Sequence, residues 1–234
     1  MPCGYQEWRR LFFAHWAVPP ELIAPLIPSP LLLDLHEGAA YVSLVPFSVQ
    51  SARPTGLPRR WSLHFLETNV RTYVHIDGRE PGVYFFSLDA ASALAVAGAR
   101  ISLGLPYFLA RGEEHLSESA VEYHLKRVAR GSPACHVSYA AGARIGAAEP
   151  GSLDYFLIER YTLHVRRGGT LWTVRVNHAP YPLRRSTLLK LVESITAADG
   201  LPKLGVPSLT HFSPGVDVAV FPPAIRPIRR SRVR

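Results

Sequence analysis

Along most of the chain, apolar residues fall in short runs rich in Val, Tyr, Phe and Leu, each bounded by Gly or Pro. Such runs read as strands. They predict strands over Arg9–Val18, Leu31–Leu35, Ala40–Val49, Trp61–Ile76, Gly82–Leu88, Tyr107–Arg111, Ala120–Val128, Ala134–Ala140, Tyr161–Arg166, Thr170–Asn177 and Asp217–Phe221. Helical signals are fewer. Pro19 and Pro20 open a helix through Glu21–Leu26, since proline suits a first helical turn. Asp89 is placed to cap an alanine-rich helix over Asp89–Ala99, and Ser152 to cap one through Tyr155–Glu159. Leu188–Thr196 is read as a fourth helix. Arg53–Arg60 reads as a loop within one domain. Gly200–Pro214 reads as a long Pro- and Gly-rich loop, either a lid or a surface excursion. The excess of strands predicts a β-rich (α+β) domain, an antiparallel barrel or sandwich with a few helices at its rim.

One strand carries most of the chemistry. In Phe65–Val74, "FLETNVRTYV", side chains alternate between faces. Glu67, Asn69, Arg71 and Tyr73 line one face, and Leu66, Thr68, Val70, Thr72 and Val74 the other. The plain reading turns the polar stripe to solvent. The functional reading turns it into the interior, where a ligand cavity needs a few convergent polar groups among apolar walls. Buried there, Glu67 and Arg71 must pair with each other or with a ligand, because an unpaired buried charge costs several kcal/mol. Arginine is also the natural fork for a carboxylate.

Charge and composition narrow the field. The formal net charge is +8, but Arg226–Arg234 alone holds five arginines, and without them the chain carries +3. Residues 1–223 are therefore read as a single domain, and 224–234 as a basic, frayed tail. A specific nucleic-acid partner is not expected. No apolar run reaches the roughly 18 residues of a membrane span, and the N-terminus has no signal-like apolar core. A cytoplasmic setting is expected, with no membrane partner. Cys3 and Cys135 are too few for a disulfide framework or a metal knuckle. The ten histidines are scattered, so neither a metal nor another cofactor is expected. His15 reads best as a hydrogen-bonded core histidine. His178, in "NHAPYPL", faces a cavity mouth or caps backbone carbonyls. Adjacent Glu159 and Arg160 do not share a helical face and are expected to make separate contacts. There is no Gly-x-Ser-x-Gly elbow, phosphate loop, dinucleotide fingerprint or HExxH motif.

Several stretches together resemble a bacterial family, the YqjF-like domain of unknown function 2071. They are "LFFAHWAVPPELIAPLIP", "AAYVSLVPF", "FLETNVRTYV", "GVYFFSLDA", "ARISLGLPYFLA", "ERYTLHV", "VNHAPYPL" and "HFSPGVDVAVFPP", spanning about Trp8 to Pro223 in order. The resemblance places the chain in the acetoacetate decarboxylase superfamily and implies a closed, cone-like β-barrel with a mostly apolar cavity. Its enzymes carry Gly-Arg-Glu-x-x-Gly-x-Pro-Lys-Lys, in which the first lysine forms the Schiff base. In "ARISLGLPYF", Arg100, Gly104 and Pro106 match, whereas Ala99 and Ile101 depart from the pattern. Tyr107 and Phe108 stand at the two lysine positions. A phenol cannot form an imine, so a Schiff-base decarboxylase is not expected. Glu67 resembles the carboxylate that the family places in the cavity.

These readings converge on a small-molecule-binding cavity for a carboxylate or carbonyl compound, with or without catalysis. Arg71 or Arg100 would anchor the anion, and Glu67 or Tyr107 would act as acid or base, since desolvation raises both pKa values. Asn69, Tyr73 and His178 complete the candidate site. One alternative is a lyase or decarboxylase acting on a keto acid through other residues. Lys126, the one lysine on a predicted strand, shares its face with Glu122 and His124 and reads as solvated. A second alternative is a non-enzymatic interaction module tethered by the basic tail. Self-association is left open.

Overall fold

The structure, a computed structural model, describes residues 1–228. Thirteen strands and four short helices follow one another among them: β1 (Gly4–Val18), α1 (Pro20–Ile23), β2 (Leu32–Leu33), β3 (Ala40–Pro54), β4 (Leu63–Ile76), β5 (Arg79–Ala90), α2 (Ala93–Leu103), β6 (Tyr107–Leu116), β7 (Val121–Arg127), β8 (Ala134–Gly146), α3 (Leu153–Ile158), β9 (Thr162–Arg167), β10 (Thr170–Asn177), β11 (Leu183–Glu193), α4 (Ile195–Ala198), β12 (Leu209–Val220) and β13 (Ala224–Pro227). The protein is mostly β, as the alternation predicts. No helix is long and apolar enough to cross a membrane.

All thirteen strands belong to one sheet, ordered β13-β10-β9-β5-β6-β7-β8-β11-β12-β1-β3-β4-β2. Two further pairings, β4 with β5 and β10 with β12, join strands that this order leaves apart. Two closed circuits of paired strands result, sharing the wall β12-β1-β3-β4-β5. Pairing is antiparallel throughout except where β5 meets β6 and β9, which corrects the expectation of a purely antiparallel sheet.

The shared wall explains why both faces of its strands are apolar. Alternate β1 side chains enter different cores: Phe12, Ala14 and Trp16 one, Leu11 and Phe13 the other. On β3, Val42 and Leu44 likewise oppose Val45 and Phe47. A strand buried on both sides loses the inside–outside alternation of an ordinary antiparallel sheet. On β4 the threonine face is as dry as the polar one, and Thr68 bonds the Tyr123 hydroxyl at 3.0 Å inside the first core.

Four sequence expectations are corrected. The helix read from Asp89 starts later, capped by Ser92, whose Oγ accepts the Ala95 N–H at 3.3 Å. Asp89 stays in β5 because its carboxylate is buried against Arg127, which donates to both oxygens at 2.6 and 2.8 Å. The helix read over Leu188–Thr196 is instead the end of β11 followed by the short α4. There β11 pairs with β8, and a register shift between Leu188 and Lys190 breaks the period of two that would have marked a strand. The loop read through Pro214 ends sooner, because β12 begins at Leu209 and pairs with β1. Finally, the basic segment is not frayed from its start. Ala224–Pro227 pairs with β10, and Arg226 bonds Glu80 at 2.7 Å. The remainder of the tail, 229–234, lies outside the described residues.

Candidate functional site

A cavity of about 150 Å³ lies on the Leu11–Phe13 side of the shared wall. Its walls are mainly apolar, from Phe13, Phe47, Phe85 and Leu163 among others, and β4 supplies Glu67, Asn69 and Arg71. The stripe therefore turns inward, and all three side chains are buried. They do not pair with one another. Glu67 accepts a hydrogen bond from the Tyr107 hydroxyl at 3.0 Å. Arg71 donates through Nη2 to the Leu157 carbonyl at 3.0 Å, and its guanidinium carbon lies 5.6 Å from the centre of the Phe13 ring.

Tyr107 reaches Glu67 because α2 ends at Gly104, whose left-handed φ of 68° turns the chain through Leu105 and Pro106 into β6. Burial pushes the Glu67 carboxyl up to about 8, against the smaller opposing pull of the Tyr107 hydrogen bond; nearby Asp89 raises it further. Burial, with Glu67 beside it, also raises Tyr107 well above the usual phenol value. Near neutral pH this end of the cavity is uncharged and can donate protons. Asn69 lies between the poles, and its buried Oδ1 has no partner.

At the other end Arg71 is only 8% exposed, yet no carboxylate among the described residues forms an ion pair with it. Its Nε is also buried without a partner. The neighbouring cavity arginine, Arg160, is by contrast satisfied: Nη1 pairs with Asp34 at 2.6 Å and Nε donates to the Phe156 carbonyl at 2.7 Å. Arg71 therefore faces this end with no carboxylate in contact.

Other sequence candidates lie off the cavity wall. Tyr73 is fully buried behind Arg71; its hydroxyl donates to the Leu157 carbonyl at 2.8 Å and accepts from Ser43 at 2.7 Å. Ser43 in turn meets His15 Nδ1 at 2.7 Å, as expected of a core histidine. Arg100 is exposed on α2, with Nε on the Tyr107 carbonyl at 2.6 Å; one helix turn instead turns Ala99 and Leu103 to the cavity. His178 donates from Nδ1 to the Ala179 carbonyl at 2.8 Å and packs between the rings of Tyr161 and Tyr181, each 4.6 Å away. Glu159 and Arg160 do make separate contacts: Glu159 accepts from the Tyr181 N–H at 2.9 Å and from the Tyr161 hydroxyl. The cavity role of Arg160 and the anchoring carbonyl of Leu157 carry no sequence signal, because both depend on α3 lying across the end of the stripe.

Lys126, Lys190 and Lys203 are exposed, and none lines the cavity. At the second lysine position of the decarboxylase motif, the Phe108 ring lies 3.9 Å below the Arg127 guanidinium. Among the described residues, no three His, Cys, Asp or Glu side chains converge as metal ligands would.

The chain resembles the uncharacterized protein YqjF of Bacillus subtilis (strain 168), at 37% identity over 218 residues, covering 93% of this chain and 90% of YqjF. Solved structures of similar fold include the enduracididine biosynthesis enzyme MppR complexed with pyruvate, at a TM-score of 0.66 and 12% identity, covering 96% of this chain and 91% of that one. Acetoacetate decarboxylase from Legionella pneumophila superposes with a TM-score of 0.61 at 15% identity, over 95% and 87% of the two chains. An acetoacetate decarboxylase-like enzyme from Sphingomonas wittichii RW1 gives 0.60 at 10% identity, over 97% and 94%. The chain thus has an acetoacetate decarboxylase-like fold, and the family model described as an uncharacterized conserved protein matches residues 5–217. The protein belongs to the DUF2071 family.

Proposed function

We propose that this protein binds a small organic carboxylate in the cavity, with Arg71 on the anion and the Glu67–Tyr107 pair facing a carbonyl or enol oxygen. The observation that carries this reading is the lone guanidinium of Arg71. A buried charge without a partner is costly, and a ligand carboxylate supplies the partner that the chain does not. In this reading the two strand circuits are closed, cone-like barrels, and the cavity lies within the one formed by β5, β9, β10, β12, β1, β3 and β4. The pyruvate in the complex of the structural neighbour MppR supports the same ligand class.

Any chemistry on the ligand would be proton transfer. Protonated Glu67 would donate to a carbonyl oxygen, while Tyr107 holds its second oxygen in place. Imine formation has no amine to draw on, since no lysine lines the wall. The proposed partner is a small molecule, without a cofactor, and the proposed setting is the cytoplasm. Both cysteines are free, Cys3 exposed and Cys135 buried. The test is calorimetric titration of monocarboxylates into wild type and Arg71→Met. At least one acid should bind wild type and lose tenfold or more in the variant; equal binding to both proteins would refute the reading. Borohydride added with pyruvate should leave the protein mass unchanged, and a lysine adduct would revive Schiff-base chemistry.

A further inference from the structure

The two polar poles sit too far apart for a compact keto acid. Glu67 and Arg71 are four residues apart on β4. At about 3.3 Å per residue, their Cα atoms are separated by roughly 13 Å. No ion pair forms across that separation. The Glu67 carboxylate is held by Tyr107 from the β6 side. The Arg71 guanidinium is held on the Leu157 carbonyl, 5.6 Å from the ring of Phe13 and 5.8 Å from that of Tyr73. At the level of Asn69, between the poles, the flanking wall residues are apolar: Val45 on β3 and Leu88 on β5. Asn69 is the one polar side chain that β4 turns to the cavity between the poles.

In an α-keto acid the carbonyl carbon is bonded to the carboxylate carbon, and in a β-keto acid a single carbon separates them. Either can touch one pole, and neither can touch both. An apolar gap between two polar ends fits a chain with the same pattern.

We infer that the ligand is an elongated oxo-carboxylate, with its carboxylate on Arg71 and its carbonyl at Glu67–Tyr107, separated by an apolar spacer of several carbons. This rests on the carboxylate reading above and sets the ligand's length. Each methylene of the spacer buried against the apolar walls tightens binding about fourfold, until the carbonyl reaches Glu67. Two aligned polar contacts at opposite ends then fix the ligand's direction.

The experiment titrates methyl-ketone acids of increasing length (pyruvate, 4-oxopentanoate, 5-oxohexanoate and 7-oxooctanoate) into wild type, Arg71→Met and Glu67→Gln. Wild-type affinity should rise at least tenfold from pyruvate to the best longer acid. Arg71→Met should weaken every acid. Glu67→Gln, checked for folding by its melting curve, should weaken the longer acids by a larger factor than it weakens pyruvate. If pyruvate binds wild type as tightly as the longer acids, the ligand is compact. The inference then falls while the carboxylate reading stands. If Arg71→Met changes nothing, or no acid binds at millimolar concentration, the carboxylate reading falls and takes the inference with it. Because the length series is read on wild type, the inference can be overturned even if both variants misfold.

Discussion

Arg71 and Tyr73 share one acceptor: both donate to the carbonyl of Leu157, at 3.0 and 2.8 Å. As i and i+2 on β4 they point to the same face, and α3 lays that carbonyl across their tips. The direction of the chain behind them follows. Tyr73 spends its one proton on Leu157, so Ser43 donates to Tyr73 and His15 donates from Nδ1 to Ser43. The chain thus puts a proton on His15 Nδ1, and burial, with His211 and Arg71 nearby, pushes the His15 pKa well below the ordinary value.

Tyr73→Phe removes one of the two donors and leaves the Ser43 hydroxyl without its acceptor. We expect a loss of about 1 kcal/mol in stability by chemical denaturation. Carboxylate affinity should also fall several-fold, because the carbonyl that orients Arg71 is less firmly held. Lost stability with unchanged affinity would reduce Tyr73 to a packing residue.

Arg71→Met should behave unlike most core substitutions. Had Glu67 and Arg71 formed an ion pair, removing the arginine would have stranded a carboxylate and cost about 3–5 kcal/mol. They are not paired, and the variant replaces a lone buried charge with an apolar chain of similar length. Without ligand, its melting temperature should match or exceed wild type by about 2–4 °C, on the order of 1 kcal/mol for a chain of this size. A large drop would mean that the guanidinium is a structural keystone rather than a ligand site.

Glu67 gives the pH dependence a definite sign. Its folded value is about 8, above the ordinary 4.5. Below about 4.5 the carboxyl is protonated in both the folded and unfolded states, and its contribution to stability is fully present. As pH rises toward 8 the unfolded chain ionises first, so stability falls by up to about 1.4 kcal/mol per pH unit and levels off above 8. Glu67→Gln keeps the neutral shape and cannot ionise. Denaturation at pH 5, 7 and 9 should show wild type losing more stability than the variant; parallel losses would show that Glu67 titrates normally.

Arg127 stands between two buried acids, pairing with Asp89 at 2.6 Å and with Asp199 at 2.9 Å, while Ser87 donates to Asp199. Arg127→Met leaves both carboxylates without their counter-ion. A loss of about 3–5 kcal/mol is expected, read as a fall of roughly 10 °C or more in melting temperature. A change within about 0.5 kcal/mol, the usual range for a surface site, would contradict the buried cluster.

Truncation after Pro223 removes the strand partner of Thr170–Thr173 and the Arg226–Glu80 ion pair. The melting temperature should drop by several degrees, since four ladder positions of β10 lose their partner. No change would mean that β13 adds nothing to the sheet.

Periodicity alone determined that the chain is a strand-rich domain and that Glu67, Asn69 and Arg71 share a face, because alternation along a strand is a local property. The lysine positions were legible too, since Tyr107 and Phe108 can be read directly against a motif. Which face was inside was not legible. Both faces of β4 are buried, and only the closing of two strand circuits on one wall makes that so. The partners were equally out of reach. The sequence leaves Glu67 and Arg71 to pair with each other or with a ligand, yet Glu67 meets Tyr107 from 40 residues away, and Arg71 meets a backbone carbonyl 86 residues away. Arg100 sat within the motif but one helical position away from the cavity, where Ala99 and Leu103 point in. Asp89 looked like a cap because acids often are, and tertiary pairing with Arg127 kept it in a strand instead. Local pattern decides which residues travel together; what they meet is decided by long-range pairing that leaves no mark on the sequence nearby.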